Sequence, residues 1–235
     1  MRHQLSRRAL VTGAMLGAAG AALPARAWRA DGPIAPPITP DDALHRLEAG
    51  NADFTQDKSR LPNLGAARRE ELARGQAPFC ALLSCSDSRV PPDLVFGGGL
   101  GDLFIIRNAG NVIDMAVLGS IEYAVAELHV PLIVVMGHEN CGAVRSAIAV
   151  VERNADYPGV IGNMIEPILP AALAARTLPG DRVENAARAH VRRMTAALRR
   201  RADPVLLKPQ AEGRLKVVGA YYHLGSGTVD FFDRP

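Results

Sequence analysis

The feature that most constrains the fold is a set of short, continuous apolar runs that alternate with helical patterns along the chain. A run that is apolar at every position suits a strand covered on both faces, as in a parallel sheet. We predict such strands at residues 79–84, 103–106, 132–136 and 215–221, with a short edge strand at 229–232. Strands that alternate with helices indicate an α/β domain. The predicted fold is therefore a mainly parallel four-stranded sheet with an additional edge strand and helices on both faces.

Helical spacing of apolar residues predicts a first helix that starts at Thr39 or Asp41 and stops at Gly50-Asn51. Its apolar face carries Leu44 and Leu47, with Phe54 beyond the stop. Further helices are predicted at about 65–75, 115–128, 142–151, 162–176 (interrupted at two prolines) and 181–201, the last ending before Pro204.

The first 27 residues have the pattern of an export signal. A basic start with Arg7-Arg8 is followed by an apolar stretch and by Ala25-Arg26-Ala27, a cleavage-site pattern. The arginine pair favours the twin-arginine route, and a general secretory signal is the alternative. The stretch is short for a membrane span, so none is predicted. We expect cleavage near Ala27, a Pro-rich arm at 28–40, a folded domain at 41–235, and a periplasmic or otherwise exported product.

Charge argues against a nucleic-acid partner. The whole chain carries 27 basic and 24 acidic side chains, for a net charge of +3. Four of the arginines and no acidic residue lie in residues 1–27, so the remainder has 23 basic against 24 acidic side chains and a charge of −1. The arginines at 192, 193, 199, 200 and 201 are therefore interpreted as a solvated helix face.

Two polar segments follow separate predicted strands, where an α/β sheet places its active site. Cys85-Ser86-Asp87-Ser88-Arg89 follows the first strand, and His138-Glu139-Asn140-Cys141 follows the third. Two thiols and an imidazole suit zinc, and three protein ligands leave one tetrahedral position for a reactant. Cys141 precedes a helix whose N–H groups would favour its thiolate. Cys80 lies inside a strand and is interpreted as a buried apolar residue.

These motifs resemble those of the β-class carbonic anhydrases, which carry Cys-x-Asp-x-Arg and His-x-x-Cys. The resemblance covers about 41–235. Its other motifs are Leu47-x-x-Gly50-Asn51-x-x-Phe54, Gly101-Asp102-Leu103-Phe104, Arg107-Asn108-Ala109-Gly110-Asn111, Ser120-Ile121-Glu122-Tyr123 and Gly219-Ala220-Tyr221-Tyr222. It implies one zinc ion per subunit, held by Cys85, His138 and Cys141. It also implies reversible hydration of CO2 to bicarbonate by zinc-bound hydroxide, which Asp87, held by Arg89, would orient.

The resemblance further implies a homodimer or a multiple of dimers, with the N-terminal helices packed on the partner. The apolar face of the first helix would fit that role, although packing within the chain is the alternative. Tyr123 and Gly142 would line the substrate pocket. Arg107 and Tyr222 match two residues of a bicarbonate site that some members have.

The chain departs from the family pattern at two places. Leu82 stands where members with the bicarbonate site have Trp, and Gly99 stands where other members have a substrate-binding Gln. Two alternative functions are a hydrolase of CS2 or COS on the same scaffold and a non-catalytic protein that binds zinc or bicarbonate. Retention of both Asp87 and Arg89 argues against the non-catalytic alternative, because zinc retention does not need them.

Overall fold

A computed structural model describes residues 38–59 and 64–235. It contains one five-stranded sheet in the order β2-β1-β3-β4-β5. The strands are β1 (Cys80–Cys85), β2 (Leu103–Asn108), β3 (Leu132–His138), β4 (Lys216–Tyr222) and β5 (Val229–Asp233). The first four are parallel and β5 is antiparallel to β4, which confirms the predicted sheet and its edge strand. The predicted signal at 1–27 and most of the arm at 28–40 lie outside the described residues.

Nine helices accompany this sheet in the described ranges. They are α1 (Pro40–Thr55), α2 (Ala66–Leu72), α3 (Pro92–Val95), α4 (Met115–Ala126), α5 (Gly142–Arg153), α6 (Ile161–Ile165), α7 (Leu169–Ala174), α8 (Arg182–Arg199) and α9 (Pro204–Ala211). Short 3-10 turns follow α6 and α7, and Pro167 and Pro170 lie at the predicted interruptions. The sequence did not predict α3 or α9. Helix α8 ends at Arg199, and Pro204 begins α9, because proline is tolerated in a first turn.

Helices cover both faces of the sheet, as predicted. One core layer joins α1 and α3 to the sheet through residues such as Leu47 and Val95. The other joins α4, α8 and α9 through residues such as Ile121, Val191 and Leu206. In the described part of the chain, no helix is both long and apolar enough to cross a membrane.

The predicted stop of the first helix at Gly50-Asn51 is wrong. Helix α1 continues to Thr55, and both residues serve its packing. A Cβ at Gly50 would lie 2.0 Å from the carbonyl oxygen of Phe96, so only glycine allows this close approach. The buried Asn51 donates to the carbonyl oxygens of Val95 (3.3 Å) and Gly227 (2.8 Å) and accepts from the Val229 N–H (2.8 Å). Residues that commonly end helices here join α1 to the rest of the fold.

The apolar face of α1 lies against the sheet of its own chain. Leu44 and Leu47 are buried there, and Phe54 packs at the margin of the same cluster. This is the intrachain alternative, so the face gives no support for contact with a partner. Packing of the N-terminal helices on a dimer partner stays a prediction.

Of the five arginines predicted to form a solvated face, all are exposed except Arg199. The prediction of a fully solvated face is wrong for Arg199, which donates to the carbonyl oxygen of Val217 and to the Asp233 carboxylate (3.0 Å). Its long stem lets the guanidinium fold back from α8 onto the edge of the sheet. Arg199 therefore tethers the C-terminal strand.

Candidate metal centre

The ends of two neighbouring parallel strands bring the two predicted ligand segments together. Strand β1 ends at Cys85 and β3 ends at His138, and the two strands are paired. Cys141 follows three residues later as the N-cap of α5. The ligand atoms of these three residues all lie within 4.8 Å of one another, and all three side chains are buried. Two sulfurs and one nitrogen in this arrangement suit zinc.

The ring of His138 is oriented for metal binding. Its Nδ1 lies 2.8 Å from the carbonyl oxygen of Glu139, which can only accept a hydrogen bond, so Nδ1 carries the proton. Nε2 then presents its lone pair to the two thiols, and it has no hydrogen-bond partner among the described residues. A buried acceptor nitrogen without a partner, beside two sulfurs, fits a cation ligand.

The two thiols share one proton unequally. The pKa of Cys85 is lowered to about 4, chiefly by a hydrogen bond from the Cys141 thiol, while burial opposes the shift. The pKa of Cys141 is raised by Cys85 and by burial, which outweigh the N–H groups of Ala143 and Val144. A bound divalent cation favours both thiolates.

A backbone N–H from the loop that follows β2 also contacts the cluster. The Gly110 N–H lies 3.4 Å from the Cys85 sulfur and helps to lower its pKa. Sequence reasoning quoted this segment only as a family motif and assigned Gly110 no role. Active-site residues of a parallel sheet follow the carboxyl ends of neighbouring strands. Because β2 also pairs with β1, the same rule could have indicated the segment after β2, which contains Gly110.

Asp87 and Arg89 form the pair expected beside the ligands. Arg89 Nε lies 2.9 Å from Asp87 Oδ1, and Nη2 lies 2.7 Å from Oδ2. The same guanidinium is the main reason that the pKa of Asp87 is well below its usual range. Oδ2 is also 4.0 Å from His138 Nε2, so an ionised carboxylate faces the ligand cluster.

Comparison with known proteins agrees with this geometry. A family model described as "Carbonic anhydrase" matches residues 80–229. A carbonic anhydrase of Mycolicibacterium smegmatis is 39% identical over 195 residues, which cover 83% of this chain and 94% of that protein. Carbonic anhydrase 2 of Mycobacterium tuberculosis is 40% identical over 192 residues, covering 82% and 92%. The chain belongs to the β-class carbonic anhydrases.

Solved structures of β-carbonic anhydrases have the same fold. A tetrameric enzyme from Sordaria macrospora superposes with a TM-score of 0.65 at 28% identity, covering 81% of this chain and 97% of that one. A β-carbonic anhydrase of Aspergillus fumigatus gives 0.64 at 30% identity, covering 82% and 90%.

The predicted bicarbonate site of this carbonic anhydrase stays a prediction, and Arg107 has other contacts. Its Nε donates to the Cys85 carbonyl oxygen (3.0 Å), and its Nη2 donates to that of Asp87 (2.7 Å). Arg107 therefore holds the backbone on which a ligand and the carboxylate are mounted. Tyr222 and Leu82 are both buried in the core layer under α1.

The predicted substrate-pocket residues lie at two places. Tyr123 is on an exposed face of α4, with its ring 6.2 Å from that of Phe104. Gly142 begins α5 directly after Cys141, and a Cβ there would meet open space. Gly142 thus leaves room beside the cluster. The role of both residues in substrate binding stays a prediction.

Proposed function

We propose that the chain is a zinc enzyme that interconverts CO2 and water with bicarbonate and a proton. The observation that carries the proposal is the ionised Asp87 carboxylate facing a buried Cys-His-Cys cluster. A site built only to retain zinc closes its fourth position with another protein ligand, whereas Arg89 engages both oxygens of Asp87 and so leaves that position to a reactant. The family matches agree with this reaction.

Cys85, His138 and Cys141 would hold the zinc ion. Bound zinc acts as a Lewis acid and lowers the pKa of water from about 15.7 to about 7. The unpartnered Nε2 of His138 and the pair of sulfurs sharing one proton are the features of this chain that fit the ion.

Asp87 would orient the attacking oxygen. An ionised carboxylate can only accept a hydrogen bond, so it accepts one from the O–H of that oxygen and leaves a lone pair free to face the carbon of CO2. Arg89 keeps the carboxylate ionised and fixes both of its oxygens. Release of bicarbonate and entry of a water molecule, which would pass one proton to buffer, would then restore the site.

The test is CO2 hydration by stopped flow on zinc-loaded protein spanning residues 28–235, as the pH is raised through neutrality. We expect turnover in the native chain. Asp87→Ala should retain zinc and lose at least about 10²-fold in hydration rate, within the usual range for a positioned acid or base. Asp203→Ala is a matched control, because Asp203 also pairs with an arginine two residues away, Arg201, at 2.8 Å. Its hydration rate should be unchanged.

Zinc-loaded native protein without CO2 turnover at any pH would contradict the proposal. A sulfide-release assay with CS2 and COS would then separate the alternative hydrolase from a non-catalytic zinc or bicarbonate protein. Equal turnover in native and Asp87→Ala proteins would refute the role given to the carboxylate.

We also propose that the chain forms a homodimer, or a multiple of dimers, through α4 and the edge strand β2. The exposed residues of α4 include Met115, Gly119 and Tyr123, spaced four apart, and none is charged. Beside them, Phe104 and Ile106 of β2 are only partly buried, and an unpaired strand edge is a template for another chain. The tetrameric relative from Sordaria macrospora makes an oligomer plausible.

Light scattering tests this interface. Met115→Glu should shift the protein to monomer, because a carboxylate would be buried against an apolar surface. Val160→Glu is the control, since Val160 is comparably exposed on another segment. A monomeric native chain, or an unchanged mass in Met115→Glu, would contradict this assembly.

The N-terminal pattern leads us to propose export, with cleavage near Ala27. The twin-arginine route predicts that replacing Arg7 and Arg8 by lysine retains the uncleaved chain in the cytoplasm. A cell-fractionation assay of that double variant beside the native chain decides between the two routes, because a general secretory signal tolerates the replacement.

A further inference from the structure

His190 is a buried imidazole that the proposed reaction does not use. It lies on α8 with 1% of its surface exposed, and neither ring nitrogen completes a hydrogen bond with any described residue. Burial lowers its pKa to about 4, and the charge of Arg193 adds to this effect. The ring is therefore neutral at working pH and carries one N–H donor. A buried polar side chain left this way in a native fold requires an explanation.

The backbone beside this imidazole belongs to the loop that reaches the metal centre. Gly110 and Asn111 lie against the ring and favour its protonated form, as carbonyl oxygens do. Gly110 also directs its N–H at the Cys85 sulfur, 3.4 Å away. The loop thus joins His190 to a zinc ligand through one peptide segment.

Other contacts confine this loop on its remaining sides. Asn108 clamps it at the base, since its side chain donates to the Val112 carbonyl oxygen (2.8 Å) and accepts from the Val112 N–H (3.0 Å). Gly110 has a φ of 79°, and a Cβ there would lie 2.7 Å from Ile168 Cδ1 and 2.9 Å from Ala143 Cβ. Small movements of this backbone are therefore restricted, and His190 packs against it from α8.

Two glycines fix the position of α8 next to His190. A Cβ at Gly137 or at Gly219 would lie 2.9 or 2.8 Å from a methyl group of Val191. Because these two residues have no side chain, Val191 packs closely against β3 and β4. This contact fixes the position of the neighbouring His190 relative to the sheet.

We propose that His190 is a positioning residue whose ring N–H, facing the carbonyl oxygens of Gly110 and Asn111, keeps the Gly110 N–H directed at the Cys85 sulfur. Hydrogen bonds to ligand atoms tune a metal site, and loss of such a partner commonly costs 10- to 100-fold in metal affinity or activity. The inference rests on the proposed function in one respect, which is that zinc is the ion bound by the Cys-His-Cys cluster.

The test compares zinc affinity, measured by competition with a chelator, among His190 variants of the chain from residue 28. His190→Leu removes the donor, and we expect about 10-fold weaker zinc binding. His190→Asn and His190→Gln each carry an N–H donor, one near each ring nitrogen, and at least one should restore affinity to within about threefold. In the cobalt-substituted protein, the sulfur-to-metal charge-transfer band should shift in His190→Leu and return in the rescuing variant.

Thr195→Val is the matched control. Thr195 is a buried polar residue on the same helix, but its hydroxyl bonds to Asp233 on β5. Its loss should lower the thermal midpoint and leave zinc affinity and the cobalt spectrum unchanged. Native zinc affinity in His190→Leu would overturn the proposal. Equal loss in all three His190 variants would also overturn it, because the effect would then follow shape and not the donor.

These outcomes separate the inference from the proposed function. If His190→Leu weakens zinc and the native chain turns over no CO2, the positioning role stands and the proposed function fails. If His190→Leu does not fold, His190→Asn and His190→Gln are compared with Thr195→Val. A loss of zinc affinity in both His190 variants that Thr195→Val does not share would refute the donor role.

Discussion

The free energy of unfolding should depend on pH through His190. In the folded chain the pKa of this imidazole is lowered from 6.5 to about 4, chiefly by burial. The unfolded chain therefore binds a proton between pH 6.5 and 4 that the folded chain does not. Stability contributed by the neutral ring is present above pH 6.5 and is lost as the pH falls through this window.

The magnitude follows from the width of that window. At about 1.36 kcal/mol per pH unit, lowering the pH from 6.5 to 5 removes roughly 2 kcal/mol of stability. Urea unfolding in constant excess zinc, at several pH values from 8 to 5, measures this loss in the native chain. His190→Asn has no proton to bind, so its curve should be flatter by the same roughly 2 kcal/mol.

The comparison of slopes isolates the imidazole, because carboxylates and zinc ligands titrate alike in both proteins. A constant vertical offset between the two curves is expected, since Asn fills the site less well. Parallel curves from pH 8 to 5 would refute the reasoning, because they would mean that His190 binds its proton equally in both states.

Three further substitutions test the site and the fold. Cys141→Ser should lose zinc and CO2 hydration together in metal analysis and stopped flow, and full activity without zinc would contradict this. Cys80→Ala, which lies in the core layer under α1 and outside the ligand cluster, should keep zinc. Leu47→Ala should lower the free energy of unfolding by about 2–5 kcal/mol in urea, through lost burial and a cavity. Asn51→Ala should cost roughly 2–4 kcal/mol by leaving buried backbone groups such as the Val229 N–H unpaired, and a loss below 0.5 kcal/mol would argue against that hydrogen-bond network.

The parallel sheet was predictable because its signal is local. Four apolar runs gave strands within two residues of those observed, and the rule for strand ends located Cys85 and His138. The same rule predicts that Cys85 and His138 lie close together although they are 53 positions apart, because neighbouring parallel strands end at one edge of a sheet.

The failures arise where tertiary contacts override local preference. Gly50 and Asn51 weaken a helix in isolation, yet α1 continues because the glycine admits the Phe96 backbone and the Asn51 amide binds three distant backbone groups. The proton shared by Cys85 and Cys141 depends in the same way on the distance between their two sulfurs. Neither contact can be read from residue spacing.

Arg107 connects the edge of the sheet to the segment that carries Cys85 and Asp87. Its backbone belongs to β2, the parallel strand at the edge of the sheet, and its guanidinium donates hydrogen bonds to the carbonyl oxygens of Cys85 and Asp87. A shift of β2 would therefore move the backbone of Cys85 and Asp87 with it, and functional sites tolerate only about 0.5 Å of such displacement. The rigidity of this edge strand thus contributes to the geometry of the candidate metal centre.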